Sequence, residues 1–161
     1  MNTQDNALSY RAALGQYATG VCVVTAEALG RKAGITVNSF TSVSLEPPLV
    51  SWCVDEGVRV YPVFATSGAF CVHILGAHEQ AVAERFADYS HQDLTQDAVG
   101  HNASGAPVLP VGAVRLDCRV FDKHRLGDHL MLVGEVLDFT AHDKDMLGYY
   151  RGRYHTLKAP V

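Results

Sequence analysis

Long apolar runs are missing from this sequence: none exceeds a few residues, far short of the roughly 20 that a membrane-spanning helix needs. No membrane partner is therefore expected. Basic tracts are missing too, and the formal net charge is -4, which argues against nucleic acid as a partner. The four cysteines, Cys22, Cys53, Cys71 and Cys118, lie at wide, unrelated spacings with no C-x-x-C pair. That speaks against a zinc site or redox dithiol and favours buried free thiols acting as small core residues. His73, His78, His91, His101, His124 and His142 are scattered without metal-ligand spacing. No G-x-G-x-x-G follows a strand-like segment, so a Rossmann nucleotide site is not supported. Asp5 interrupts the first eight residues and no apolar segment follows, so no signal peptide is expected and a cytoplasmic location is.

What is present suits one folded domain spanning 1–161: 48% of residues are hydrophobic and 19% charged, enough for a proper core. Leu8 to Ala18 has helical spacing, with Gly20 able to end the helix. Val21 to Thr25 and Ala33 to Val37 read as strands of a hairpin with Leu29-Gly30-Arg31-Lys32 as a basic tip. Leu49 to Val54 starts where Pro47-Pro48 forbids helix, and Tyr61 to Thr66 can form a short helix with Pro62 in its first turn. Phe70 to Leu75 is strand-like, and His78 to Tyr89 is an amphipathic helix. Ser90 to Pro110, rich in Gly, Asn, Asp and Pro, reads as a long surface loop. Val111 to His124 and His129 to Ala141 are long strands joined around Leu126-Gly127-Asp128. Strands dominate and the helices fall too irregularly for βαβ repeats. The pattern fits a mainly β fold, an antiparallel Greek-key barrel with a few peripheral helices.

The segment Gly34 to Val54 is the most informative. Thr36, Asn38, Ser39, Thr41, Ser42 and Ser44 fall within nine residues, ahead of Pro47-Pro48 and a second apolar run. Small hydroxyls and an amide suit hydrogen bonding to a neutral polar ligand. The same composition also occurs in an ordinary Ser/Thr-rich strand and loop. Together with Tyr10 to Gly15, Tyr17 to Val21, Pro62-Val63-Phe64, Gly68-Ala69-Phe70, Gly127-Asp128-His129 and Tyr150 to His155, this segment resembles the flavin reductase components of two-component flavin-dependent monooxygenases. The blocks keep that family's order along most of the chain.

The resemblance implies a flavin-binding split barrel, usually a homodimer, that passes hydride from NADH or NADPH to FMN or FAD. Reduced flavin would then go to a separate monooxygenase component. It also implies that Thr36, Val37, Asn38 and Ser39 line the flavin with Ser42 close by, and that Ser51, Trp52 and Cys53 reach it from the next strand. Trp52 serves equally well as a core or interface aromatic, and Cys53 as a structural thiol. Gly57 stands where the family usually has Ser, leaving a backbone N–H as the expected phosphate donor, and Arg59 could add compensating charge. Phe86 would border the flavin or pack in the core. His129 would contact the nicotinamide as the catalytic residue. Arg153 and Tyr154, with His155, would close over the ligands or form a basic surface. Two alternatives remain open at this point: a flavin-binding electron carrier without its own NAD(P)H oxidation, and a non-catalytic split-barrel protein binding haem or another flat ligand.

Overall fold

The computed structural model describes residues 3–95 and 100–160. Helix α1 (Thr3–Leu14) leads to a two-residue strand β1 (Thr19–Gly20). One antiparallel sheet then forms from β2 (Cys22–Ala28), β3 (Arg31–Val37), β4 (Thr41–Leu45), β5 (Pro48–Asp55), β6 (Ala69–Ile74), β7 (Val114–Leu126) and β8 (His129–Ala141). Its strand order is β3-β2-β6-β7-β8-β5-β4. Helix α2 (Tyr61–Thr66) follows β5, and α3 (Gln80–Ala87) follows a 3-10 turn at Ala77–Glu79. A second sheet pairs β1 with β9 (Met146–Tyr150) and β10 (Arg153–Leu157). The mainly β antiparallel fold with few helices is as expected. Among the described residues no helix is long and apolar enough to cross a membrane.

Both faces of β2 are buried from Cys22 to Ala26, which suits its largely apolar start. Cys22, Val24 and Ala26 join Ile35, Val37, Val50, Trp52, Val54, Phe64, Phe70 and Leu132 in the main core. Val21 and Val23 face the other way, into a smaller core with Leu75, Ala83, Phe86, Leu109 and Leu147 under α3. Trp52 is fully buried, edge-on to Phe64 at 5.0 Å and to Phe70 at 5.7 Å between ring centroids.

Several boundaries differ from expectation. The N-terminal helix ends at Leu14, and Gly20 lies in β1, paired with Gly148. The C-terminal hairpin captures this connection: Arg151 N–H donates to Gly15 O at 2.9 Å and its Nε to Gln16 Oε1 at 2.9 Å. Arg31 and Lys32 belong to β3 and pair with Ala28 and Glu27, so the hairpin tip is only Leu29-Gly30. The helix expected over His78–Tyr89 stops at Ala87. The ending Tyr150 to His155 is a β-hairpin, turning on Arg151 and Gly152 with φ of 50° and 74°. Consecutive positive φ values define the tight turn that matches strand twist. The long connection expected over Ser90 to Pro110 runs on to Ala113, so β7 starts at Val114. It is not wholly on the surface: Gln92, Leu94, Ala106 and Leu109 are buried, while residues 96–99 lie outside the described residues.

Buried polar groups pin that connection to the barrel. His73 Nδ1 donates to Val23 O at 3.2 Å, leaving Nε2 to accept from Leu109 N–H at 3.0 Å. The Glu79 carboxylate accepts from Gly112 N–H at 2.9 Å and from Gly76 N–H at 2.7 Å. Burial pushes the His73 imidazole down to about 4. The four cysteines are free thiols; Cys22, Cys71 and Cys118 are buried as expected, while Cys53 is only half-buried. Burial pushes Cys22 and Cys118 up to about 12 and Cys71 higher still, so none of these three ionises near neutral pH.

Candidate active site

Strand alternation decides what the polar segment can offer. Ile35 and Val37 point toward the main core, while Gly34 and Thr36 face α3. Thr36 Oγ1 donates to Ala83 O at 2.7 Å, fixing β3 to the helix. A Cβ on Gly34 would sit 2.8 Å from the Phe86 ring, so only glycine lets α3 lie this close. After Val37 the chain leaves the sheet, and Asn38 and Ser39 are exposed. Ser39 Oγ accepts from Cys53 N–H at 2.9 Å, tying this turn to β5. The Asn38 amide has no hydrogen-bond partner among the described residues.

These residues open onto a cleft of about 370 Å³. Ile35, Val37 and Val58 give it apolar walls, and Asn38, Ser39, Cys53, Asp55 and His129 a polar edge, with Arg11, Tyr89 and Gln92 completing it. A smaller recess of about 170 Å³ shares Thr36, Val37 and Asn38 and adds Tyr149 and Tyr154. The 370 Å³ of the cleft lies within the usual range for small-molecule sites, about 300–1,000 Å³. An apolar slot with a neutral amide and hydroxyl at one edge fits a flat heteroaromatic ring carrying polar atoms on one side. A third recess of about 450 Å³, lined by Glu27, Ser67, Ser104 and Arg119, fits less well. Its hydroxyls are engaged: Ser67 Oγ accepts from Ala69 N–H at 3.1 Å, and Ser104 Oγ donates to Asn102 Oδ1 at 2.8 Å.

A family model described as a flavin reductase like domain matches residues 14–158. The chain belongs to the flavin reductase like family. It is similar to the FMN reductase (NADH) SmoA of Agrobacterium fabrum, 39% identical over 152 residues, covering 93% of this chain and 86% of that protein. It is 32% identical over 146 residues to HsaB of Rhodococcus jostii, the reductase subunit of a flavin-dependent monooxygenase, covering 90% and 75%. Among solved structures, the NADH:FAD oxidoreductase SgcE6 of Streptomyces globisporus, in complex with NAD and FAD fragments, has a TM-score of 0.86 at 32% identity, covering 96% and 94%.

Of the residues expected from sequence, this flavin reductase like domain brings Thr36, Val37, Asn38, Ser39, Cys53 and His129 together in the larger cleft, and Tyr154 in the recess beside it. Others lie elsewhere. Trp52 and Phe86 are 0% and 1% exposed, sealed in the two cores and out of reach of the cleft. Ser51 is buried on β5 between Thr41 and Val133. Ser42 sits on the exposed β4 beside Val50, and Arg153 opens β10 on the surface. The Gly57 N–H is taken by Asp55 Oδ1 at 2.7 Å and is not open to a phosphate. Arg59 is ion-paired with Asp93.

Sequence reasoning missed Arg11, Val58, Tyr89, Gln92 and Tyr149. Arg11 fell within a motif block of the resemblance, which was a signal. Gln92 lies in an aperiodic loop, where sequence spacing carries none.

His129 opens β8 opposite Asp55, with its side chain 42% exposed. Its Nδ1 donates to Asp128 Oδ1 at 2.7 Å, which leaves Nε2 for a ligand. That hydrogen bond is the main reason the Asp128 carboxyl is held below its usual range. His129→Ala should lower kcat/KM by about tenfold, the worth of one good hydrogen bond. Steady-state kinetics would check this; total loss of activity with flavin still bound would show that the imidazole does more.

Proposed function

We propose that this chain is an NAD(P)H:flavin oxidoreductase that reduces FMN or FAD and releases the reduced flavin to a separate monooxygenase. The observation that carries it is the open cleft in which Asn38, Ser39 and His129 edge an apolar slot of Ile35, Val37 and Val58. Bound flavin would supply the hydride acceptor, and the chain's part is binding, orientation and electrostatics. Asn38 can donate to a carbonyl edge without titrating, which favours charge arriving there. Ser39, held by the Cys53 N–H, keeps that turn in place. Hydride transfer needs no general base. Relatives named as an FMN reductase using NADH and as a monooxygenase reductase subunit support both halves of this reading.

The same reading includes a homodimer and a cytoplasmic location. α1 exposes Tyr10 and Leu14, the turn after it Tyr17, and β4 exposes Val43 and Leu45. A twelve-residue helix whose described side chains, Asn6 to Leu14, are all exposed is marginal in water, which favours a second copy covering it.

Purified protein should oxidise NADH or NADPH only when free flavin is added. A reductase that passes on its product must release it, and micromolar affinity, about 8 kcal/mol, permits that. A spectrophotometric assay with FMN, FAD and riboflavin against both donors tests it. Reduction confined to a bound flavin that never exchanges would contradict it.

A further inference from the structure

Two acids flank the β5–α2 turn, Asp55 and Glu56, and both are occupied. Asp55 turns inward onto the Gly57 N–H at 2.7 Å, and Glu56 is clamped by Arg125 Nη2 at 2.6 Å. With the Gly57 N–H used, side chains are the candidates for phosphate recognition beside this end of the cleft. Two guanidinium groups meet next to it, on Asp93. Arg31 Nη2 donates to Asp93 Oδ1 at 2.9 Å, and Arg59 donates to Asp93 Oδ2. Backbone bonds set the arrangement: Gly34 N–H donates to Gln92 O at 2.8 Å and Leu94 N–H to Lys32 O at 2.9 Å, which holds Asp93 against β3. Val58 and Gln92, the chain neighbours of Arg59 and Asp93, line the cleft.

Each guanidinium carries five N–H donors in a fixed fork, far more than one carboxylate can use. The trio keeps a net charge of about +1, since two cations face one anion. All three side chains remain partly exposed. Asp93 thus holds two forks together, each with N–H donors to spare for an oxyanion. Bidentate guanidinium contacts are the preferred protein match to phosphate.

We propose that Arg31 and Arg59, aligned by Asp93, form a clamp for a phosphate group of the nucleotide in the cleft, foremost the phosphomonoester of FMN. The clamp rests on the cleft being the flavin site. It would tell FMN from riboflavin, which has the same ring system and no phosphate.

Equilibrium fluorescence titrations of the full chain with FMN, riboflavin and NADH test this, with the wild type and the Arg31→Gln and Arg59→Gln variants. Each variant should lose about tenfold in FMN affinity, while riboflavin affinity changes less than about twofold and serves as the check on folding. In the wild type, added salt should weaken FMN and spare riboflavin. If NADH rather than FMN loses affinity, the phosphate held is the dinucleotide's and the clamp stands. Equal losses for FMN and riboflavin, or no loss for any of the three, would overturn it. A wild type that binds neither flavin would sink the proposed function instead, so the two failures are distinguishable.

Discussion

Trp52→Ala should cost the fold about 3 kcal/mol, near the lower end of the range of about 3–5 for emptying a buried aromatic site. The ring is fully enclosed by Phe64 and Phe70, so truncation leaves a cavity. The low end is expected because Trp52 Nε1 is buried with no hydrogen-bond partner among the described residues. Removing an unsatisfied donor returns part of its desolvation cost, about 1–3 kcal/mol. Trp52→Phe, which keeps the edge-on contacts and drops the orphan N–H, should stay within about 1.5 kcal/mol of the parent. Urea unfolding of both variants measures this. Flavin affinity of Trp52→Phe should match the parent; a large drop in affinity at unchanged stability would mean the indole touches ligand after all.

Acid should destabilise the protein through His73 before most carboxylates respond. Burial depresses the imidazole from its ordinary 6.5 to about 4, so the unfolded chain binds the extra proton between these values. Stability from the neutral ring is therefore complete above pH 6.5 and is lost progressively as pH falls to 4. At about 1.4 kcal/mol per pH unit, the loss approaches about 3 kcal/mol. Protonation removes the acceptor for Leu109 N–H, so the connection over β2 and β6 should loosen first. In His73→Asn the side-chain carbonyl can still accept that bond and nothing titrates. Its stability curve should be flatter than the parent's across pH 6.5 to 4. Parallel curves in a denaturant series would show that His73 does not set the slope.

Apolar periodicity marked β2, β5, α2 and the long β7–β8 hairpin, because each buries a face whose pattern is local. The C-terminal hairpin escaped notice. Its strands are short and rich in Tyr, Arg and His; β9 pairs on one side with Thr19 and Gly20, over a hundred residues away, and on the other with β10. Within the cleft, Thr36 to Ser39, Cys53 and His129 were legible from motif order. Trp52 lay in the segment Gly34 to Val54 and Phe86 on the helix read over His78 to Tyr89, yet their side chains face the two cores. Sequence register placed them on the right elements and could not say which face met solvent.

The sequence by itself determined a mainly β antiparallel domain, its family and the polar segment from Thr36 to Ser44, since alternation, prolines and motif order act over a few residues. Only the tertiary structure decided that Asp55 consumes the Gly57 N–H, that Arg31 and Arg59 meet on Asp93, and that His73 holds Leu109. Those bonds join groups brought together by sheet order, and their strength depends on burial, a property of the assembled fold.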